Sequence, residues 1–245
     1  MRIFFGYIVD YDNSVTFFSI HHALYVLFAI FCFWFPLKHS SKINKSYDRF
    51  LKGFLFYGLI LFEIYYHIHN YIGGVISFPL HLSSFGIILS ITLMRFPKQE
   101  KLFQFAFNIG VAAGFVALFF PFSYGFPYYN FRYWHFLFAH GMMIFIPTYH
   151  MMRYNYSLKR KDFYQVFATV VLAIPIFYFI NYLLSTLSAN FFYNYWFVYV
   201  IPDFVAGFFK IPLLYIFTLI FLYFLTLSII HTIVNMDKEK PIESN

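Results

Sequence analysis

Seven long apolar runs constrain this chain more than any other feature of its sequence: residues 16–37, 52–71, 77–95, 102–121, 132–152, 164–187 and 208–233. A bilayer core about 30 Å thick takes about 20 apolar residues per helix. Backbone amides in lipid must be paired internally, which leaves helices or closed barrels. The runs here are continuously apolar, so helices are selected. The composition agrees, with 61% of the residues hydrophobic and 11% charged. These features predict an all-α polytopic membrane protein, a seven-transmembrane-helix bundle forming one domain over residues 1–236, followed by a disordered cytoplasmic tail at 237–245. The aromatic stretch "SANFFYNYWFVYVIPDFVAG", broken by Pro202 and Asp203, reads as interfacial or re-entrant, because Trp and Tyr prefer the headgroup level.

The basic residues set the orientation. Fourteen of the 17 Lys and Arg fall between spans one and two, three and four, five and six, or in the tail, leaving Arg2, Arg132 and Lys210 for the opposite side. The positive-inside rule then puts the amino terminus outside and the carboxyl terminus in the cytoplasm, in the cell (plasma) membrane. The net charge of +7 is thereby accounted for by insertion and anionic lipid, with no nucleic-acid partner. The opening residues do not have the pattern of a cleavable signal peptide, so Met1 is expected to stay. A single cysteine, Cys32, excludes an internal disulfide and any multi-cysteine metal site, and its place in the inner half of span one marks it as packing.

With an orientation assigned, each polar residue acquires a depth. Seven of the ten histidines fall toward the outer side: His21, His22, His67, His69, His81, His135 and His140. Ionisable groups in hydrocarbon cost about 2.5–3.5 kcal/mol each on insertion scales and are normally turned inward and paired. Glu63 and His67 are four apart and share a helix face that Asn70 continues, while Arg132 and His135 lie one turn apart. His81 and Ser84 are neighbours at the start of span three, with Ser83 pointing elsewhere. A structural Glu63–His67 hydrogen bond competes with a functional role for both. His21, His22 and His69 read as interfacial and solvated, Ser77 as a helix cap, and Pro79 as a first-turn residue. No metal-binding spacing is present, and no metal or other cofactor is expected.

Two blocks carry a resemblance. "FPLHLSS" resembles the "PLHLC" signature of the YwaF family of bacterial integral membrane proteins, and "FPYYNFRYWHFLFAHGMMIFIPTYH" resembles that family's arginine, aromatics and His-Gly at the opening of a long helix. "NYLL" at Asn181 is more loosely similar to a third block. The family's eukaryotic relatives include transmembrane protein 164, an acyltransferase that moves fatty acyl chains between phospholipids through a cysteine with a histidine partner. The resemblance maps the motif histidines onto His81 and His140. The bacterial cysteine falls on Ser83 and the eukaryotic one on Leu80, so neither position supplies a thiol and a thioester route is closed.

The leading functional expectation is acyl transfer or ester hydrolysis on outer-leaflet phospholipid. His81 or His140 would be the general base, Ser83 or Ser84 the nucleophile, and Arg132 or Lys210 would hold the phosphate or oxyanion, with His135, Glu63, His67 and Asn181 completing the substrate site. Glu63 would orient His67 in the manner of a triad. A non-enzymatic transporter or binder of a small anionic or lipid ligand uses the same residues without chemistry. A structural or assembly factor would use them only as glue between helices.

Overall fold

The computed structural model describes residues 2–121, 125–188, 192–201, 207 and 210–238. Pro202, Asp203 and the tail from residue 239 lie outside these, so the re-entrant break and the disordered end are not among the described features. The chain divides into two compact units, Met1–Tyr156 and Ser157–Asn245. The first holds α1 (Arg2–Phe5), α2 (Ile20–His39), α3 (Lys45–Ile72), α4 (Leu82–Arg95), α5 (Glu100–Phe119) and α6 (Phe131–Arg153). The second holds α7 (Arg160–Leu187) and α8 (Pro212–Lys238). Among the described residues there is no β-strand, only one isolated bridge between Ser14 and Pro127.

Among the described residues five helical stretches are long and apolar enough to cross a membrane: Ile20–Lys42, Lys45–Ile72, Glu100–Phe119, Arg160–Leu187 and Pro212–Asn235. The other two predicted spans also contain helices but differ in kind. α4 has only 14 residues. α6 is long enough but interrupts its apolar residues with Arg132, His135, His140, Thr148 and His150, all buried. The run at 77–95 was expected to be helical nearly throughout, yet the helix begins at Leu82 with His81 as its N-cap. Pro79 lacks an amide hydrogen and biases Phe78 away from helix, and Ser77 is claimed by side chains of α3.

Side-chain caps mark several of the helix starts. Ser19 accepts from the His22 amide, Asn44 from Tyr47, and Asn130 from Arg132, each satisfying a donor that the first turn cannot pair internally. The first unit is organised around α6, of whose 23 residues 17 are buried, and which packs against α2, α4 and α5. Small residues permit the close approach. A Cβ on Gly86 would meet the Gly110 Cα at 3.1 Å, and one on Gly114 would meet the His140 carbonyl oxygen at 2.7 Å. Within α5, Ala106–Val111 takes π-helical geometry and all six residues are buried, so the wider turn sits at the contact with α4 and α6.

The segment before α2 folds across one end of this unit. Gly6 offers its carbonyl to both Asn130 Nδ2 (2.7 Å) and His69 Nε2 (3.0 Å), and Tyr7 packs on Gly73. Asp10 accepts from the Tyr129 hydroxyl at 2.6 Å, and its amide donates to the Gly125 carbonyl at 2.8 Å. Gly125 has φ of 73°, and a Cβ there would meet the Tyr11 ring at 2.6 Å, so a side chain would be both strained and obstructed.

In the second unit α7 and α8 meet through rings: Phe163 lies 5.5 Å from Phe224 and 5.0 Å from His231. The aromatic stretch after α7 is pinned back onto that helix. Asn181 donates to the Tyr195 carbonyl (2.8 Å) and accepts from its amide (2.7 Å), Ser185 accepts from the Tyr193 amide (2.9 Å), and Trp196 stacks on Phe177 at 4.2 Å.

Candidate functional site

The end of the first unit where α3 finishes and α6 begins gathers most of the candidate residues. Glu63 and Asn70, two turns apart on α3, reach respectively to His135 and Arg132, one turn apart on α6. The Glu63 Oε1 to His135 Nε2 distance is 2.8 Å. Arg132 Nη1 donates to Asn70 Oδ1. The shared face read from the sequence is therefore present, but the pairing differs. Glu63 was expected to bond and orient His67; it bonds His135 instead, because a neighbouring helix offers an imidazole at short range. His67 Nδ1 instead lies 3.1 Å from Ser77 Oγ.

Ser77 is consequently not a helix cap. Its hydroxyl oxygen accepts from Asn70 Nδ2 at 2.7 Å and pairs with His67, tying the non-helical segment Gly73–His81 to the end of α3. The assignment of Ser77 as a cap failed because α4 starts five residues later than the apolar run.

Arg132 is buried, with 9% of its surface exposed. Its guanidinium lies between two rings, 4.3 Å from the Tyr66 centroid and 4.7 Å from that of Phe126. Such a stack stabilises a desolvated cation. Among the described residues no carboxylate forms an ion pair with it. His135 stacks on Tyr66 at 4.4 Å, so one aromatic ring holds both the guanidinium and the imidazole.

His140 lies two turns deeper on α6. Its Nδ1 is 2.7 Å from the Phe136 carbonyl oxygen. A carbonyl only accepts, so Nδ1 carries the proton and the neutral ring leaves a lone pair on Nε2. His81 and His140 lie within electrostatic range of each other, and His140 within range of Glu63 and His135. The two histidines singled out from the motifs thus lie in the same end of the unit as the Glu63–His135 pair. Ser83 and Ser84, in the first turn of α4, are half-buried; among the described residues no hydrogen bond joins either hydroxyl to an imidazole.

Three histidines read as interfacial and solvated are held by protein groups instead. His69 is completely buried and bonded to Gly6. His21 Nδ1 lies 3.1 Å from the Tyr133 hydroxyl, and His22 accepts from the Phe18 amide and donates to the Phe119 carbonyl. The segment before α2 supplies Gly6 and Phe18, while α6 and α5 supply Tyr133 and Phe119; hydropathy carried no sign of either. Asn181 and Lys210 belong to the second unit. Both amide atoms of Asn181 are committed to Tyr195, and Lys210 is exposed just before α8. Among the described residues no group of three or more His, Cys, Asp or Glu side chains is placed to hold a metal ion.

The opposite end of the first unit carries a polar network that was not anticipated. Asp48 accepts from the Tyr149 hydroxyl at 2.5 Å, pairs with Lys52 Nζ at 2.9 Å and lies 3.6 Å from Arg153 Nε. Lys52 also donates to the Tyr154 hydroxyl, and Arg153 to the Ile43 carbonyl. The signal was Asp48 and Lys52 four apart on a basic-rich helix start, read only as part of the charge count.

Apolar helices of spanning length, with charged and imidazole groups turned into helix contacts, define a multi-pass helical membrane protein. The family model described as the TMEM164 family matches residues 17–234, and the chain belongs to that family. The match covers both units, and it is to the family related to YwaF rather than to YwaF itself. No curated protein and no solved structure matches the chain.

Proposed function

We propose that the polar end formed by α3, α4 and α6 binds the phosphate-bearing headgroup of an outer-leaflet phospholipid and acts on its acyl ester, by transfer or hydrolysis. The observation that carries this reading is Arg132: a buried guanidinium, fixed between Tyr66 and Phe126 without a carboxylate partner among the described residues. A fixed planar cation of this kind suits a phosphate oxygen pair. The nearby imidazoles of His81, His135 and His140 supply ring nitrogens that can accept a proton from an attacking hydroxyl.

In this reading the protein has seven spans, with α4 and α6 as the two additional ones, the amino terminus outside and the carboxyl terminus in the cytoplasm of a plasma membrane. A 14-residue helix is about 21 Å long, short of a bilayer core of about 30 Å. The non-helical segment 73–81 then lies at membrane depth, where irregular backbone is tolerated beside protein or a polar cavity. His81, at the junction, is the N-cap of α4.

A binding or transport role for an anionic or lipid ligand is favoured by one observation, the lack of a hydrogen bond between Ser83 or Ser84 and either motif histidine. Lipid mass spectrometry on cells with and without the protein separates the readings. Acyl-chain redistribution or free fatty acid release that disappears in His140→Ala and Arg132→Gln supports the enzyme. Unchanged acyl composition, with one phospholipid species retained by the purified protein, supports the binder.

A further inference from the structure

We infer that Ser77, activated by His67, is the nucleophilic hydroxyl of this site; the inference rests on the ester chemistry proposed above. It comes from the direction of a hydrogen-bond chain. Arg132 can only donate, so the atom of Asn70 that it meets is the amide oxygen. That fixes the opposite, NH2 side of Asn70 toward Ser77, and Asn70 Nδ2 lies 2.7 Å from Ser77 Oγ. With one lone pair of Ser77 engaged as an acceptor, its own hydrogen is left to point at His67 Nδ1, 3.1 Å away. The chain runs one way, from the guanidinium through the amide to the hydroxyl and on to the imidazole.

A serine hydroxyl is inert unless a base takes its proton, and an imidazole acceptor at this distance meets that requirement. Ser77 is half-buried, whereas Arg132 and Asn70 behind it are buried. Ser77 and His67 are therefore the accessible part of a relay whose Arg132 and Asn70 are enclosed. Ser77 lies on a non-helical segment, which leaves its second lone pair unobstructed by a helix's own turn.

In the reaction, Ser77 Oγ bonds to the ester carbonyl carbon as its proton passes to His67 Nδ1. The carbon–oxygen bond to the glycerol oxygen then breaks, and that oxygen takes the proton from His67, leaving acyl-serine and a lysophospholipid. Water or the hydroxyl of a second lysophospholipid reverses the step, giving a fatty acid or a new phospholipid. Arg132 is one residue behind the nucleophile, within reach of the headgroup phosphate. The substrate class is thus an acyl ester of a glycerophospholipid.

The test uses the full chain in phosphatidylcholine–phosphatidylglycerol vesicles and a fluorophosphonate, which transfers phosphorus to an activated serine and expels fluoride. Peptide mass spectrometry should place the label on Ser77, with labelling lost in Ser77→Ala and reduced about tenfold or more in His67→Ala. A label on Ser83 or Ser84, or none on Ser77 in folded protein, overturns the inference. Ser77→Cys gives a second readout. The only other cysteine, Cys32, is fully buried, and the new thiol should alkylate about tenfold faster with His67 present than in His67→Ala; equal rates overturn the pairing. Phospholipid turnover in the same vesicles separates the two levels. Turnover unchanged by Ser77→Ala removes Ser77 while leaving the ester chemistry standing. Labelled Ser77 without any turnover supports the activated hydroxyl and removes the phospholipid reading.

Discussion

The two ends of the first unit handle buried charge in opposite ways. At one end Asp48 is surrounded by Lys52, Arg153 and the Tyr149 hydroxyl, and each cation there has a further acceptor, Tyr154 or the Ile43 carbonyl. At the other end Arg132 is braced by rings and one amide, Glu63 is paired with His135, and Ser77 shares a hydrogen bond with His67. At the Asp48 end both cations reach the one carboxylate and a neutral acceptor from another segment, which is what a staple between helices needs. Among the described residues Arg132 has no carboxylate partner, and in the function proposed above its complement is an anion from outside. A polar cluster in a membrane helix bundle is therefore informative about function to the extent that its charges are left uncompensated.

The comparison predicts different costs at the two ends. Asp48→Ala takes the carboxylate from two half-buried cations and the Tyr149 hydroxyl at once, and should cost more than the about 1–3 kcal/mol of one hydrogen bond to a charged group. Thermal unfolding in detergent should show this as the largest loss of stability in the set; a change near zero would mean that water compensates the cations. Glu63→Gln keeps the shape but removes the charge beside His135, and should destabilise by about 1–3 kcal/mol, the range for losing a hydrogen bond to a charged group. The same variant should weaken phospholipid binding less than Arg132→Gln does. Arg132→Lys tests whether charge alone matters. Lysine is not planar and does not reproduce the stack between Tyr66 and Phe126, so binding should fall nearly as far as in Arg132→Gln, for a stability change of about 1–2 kcal/mol.

The smallest effect is expected at the segment before α2. The Tyr129 hydroxyl, with help from Asn13, holds the Asp10 carboxyl below its ordinary value of 3.8. A lowered folded-state value adds stability that is present above that ordinary value and is lost as pH falls through the lowered one. The protection factors of the amides of residues 8–14, with the intrinsic pH dependence of exchange divided out, should therefore be constant from neutral pH down to about pH 4 and fall below it. In Asp10→Asn that acid step should vanish.

Much of the architecture was legible in the sequence, because apolar run length and backbone pairing leave few options in lipid. The boundaries failed where a local rule outweighed hydropathy. Pro79 and the side chains holding Ser77 delay α4 to Leu82, and the stretch 77–81 is non-helical. Face sharing was readable for Glu63 with Asn70 and for Arg132 with His135, since helical spacing fixes it. Which residue met which was not, because pairing across helices depends on their register, and so Glu63 was assigned to His67. The Asp48 network was hidden for a related reason. Tyr149 and Arg153 lie about a hundred residues away in sequence, and nothing in either segment announces the other. The partners of His21, His22 and His69 lie partly on a preceding segment that folds back onto the helices and partly on α5 and α6, pairings that composition does not reveal.

The central claim, that the Arg132 end is a ligand site and the Asp48 end a staple, is tested most directly by native mass spectrometry of the purified protein released from membranes. The account predicts one phospholipid retained by the wild type and by a folded Lys52→Gln variant, and lost from Arg132→Gln. Equal retention in Arg132→Gln, or loss only when the Asp48 network is altered, would contradict it.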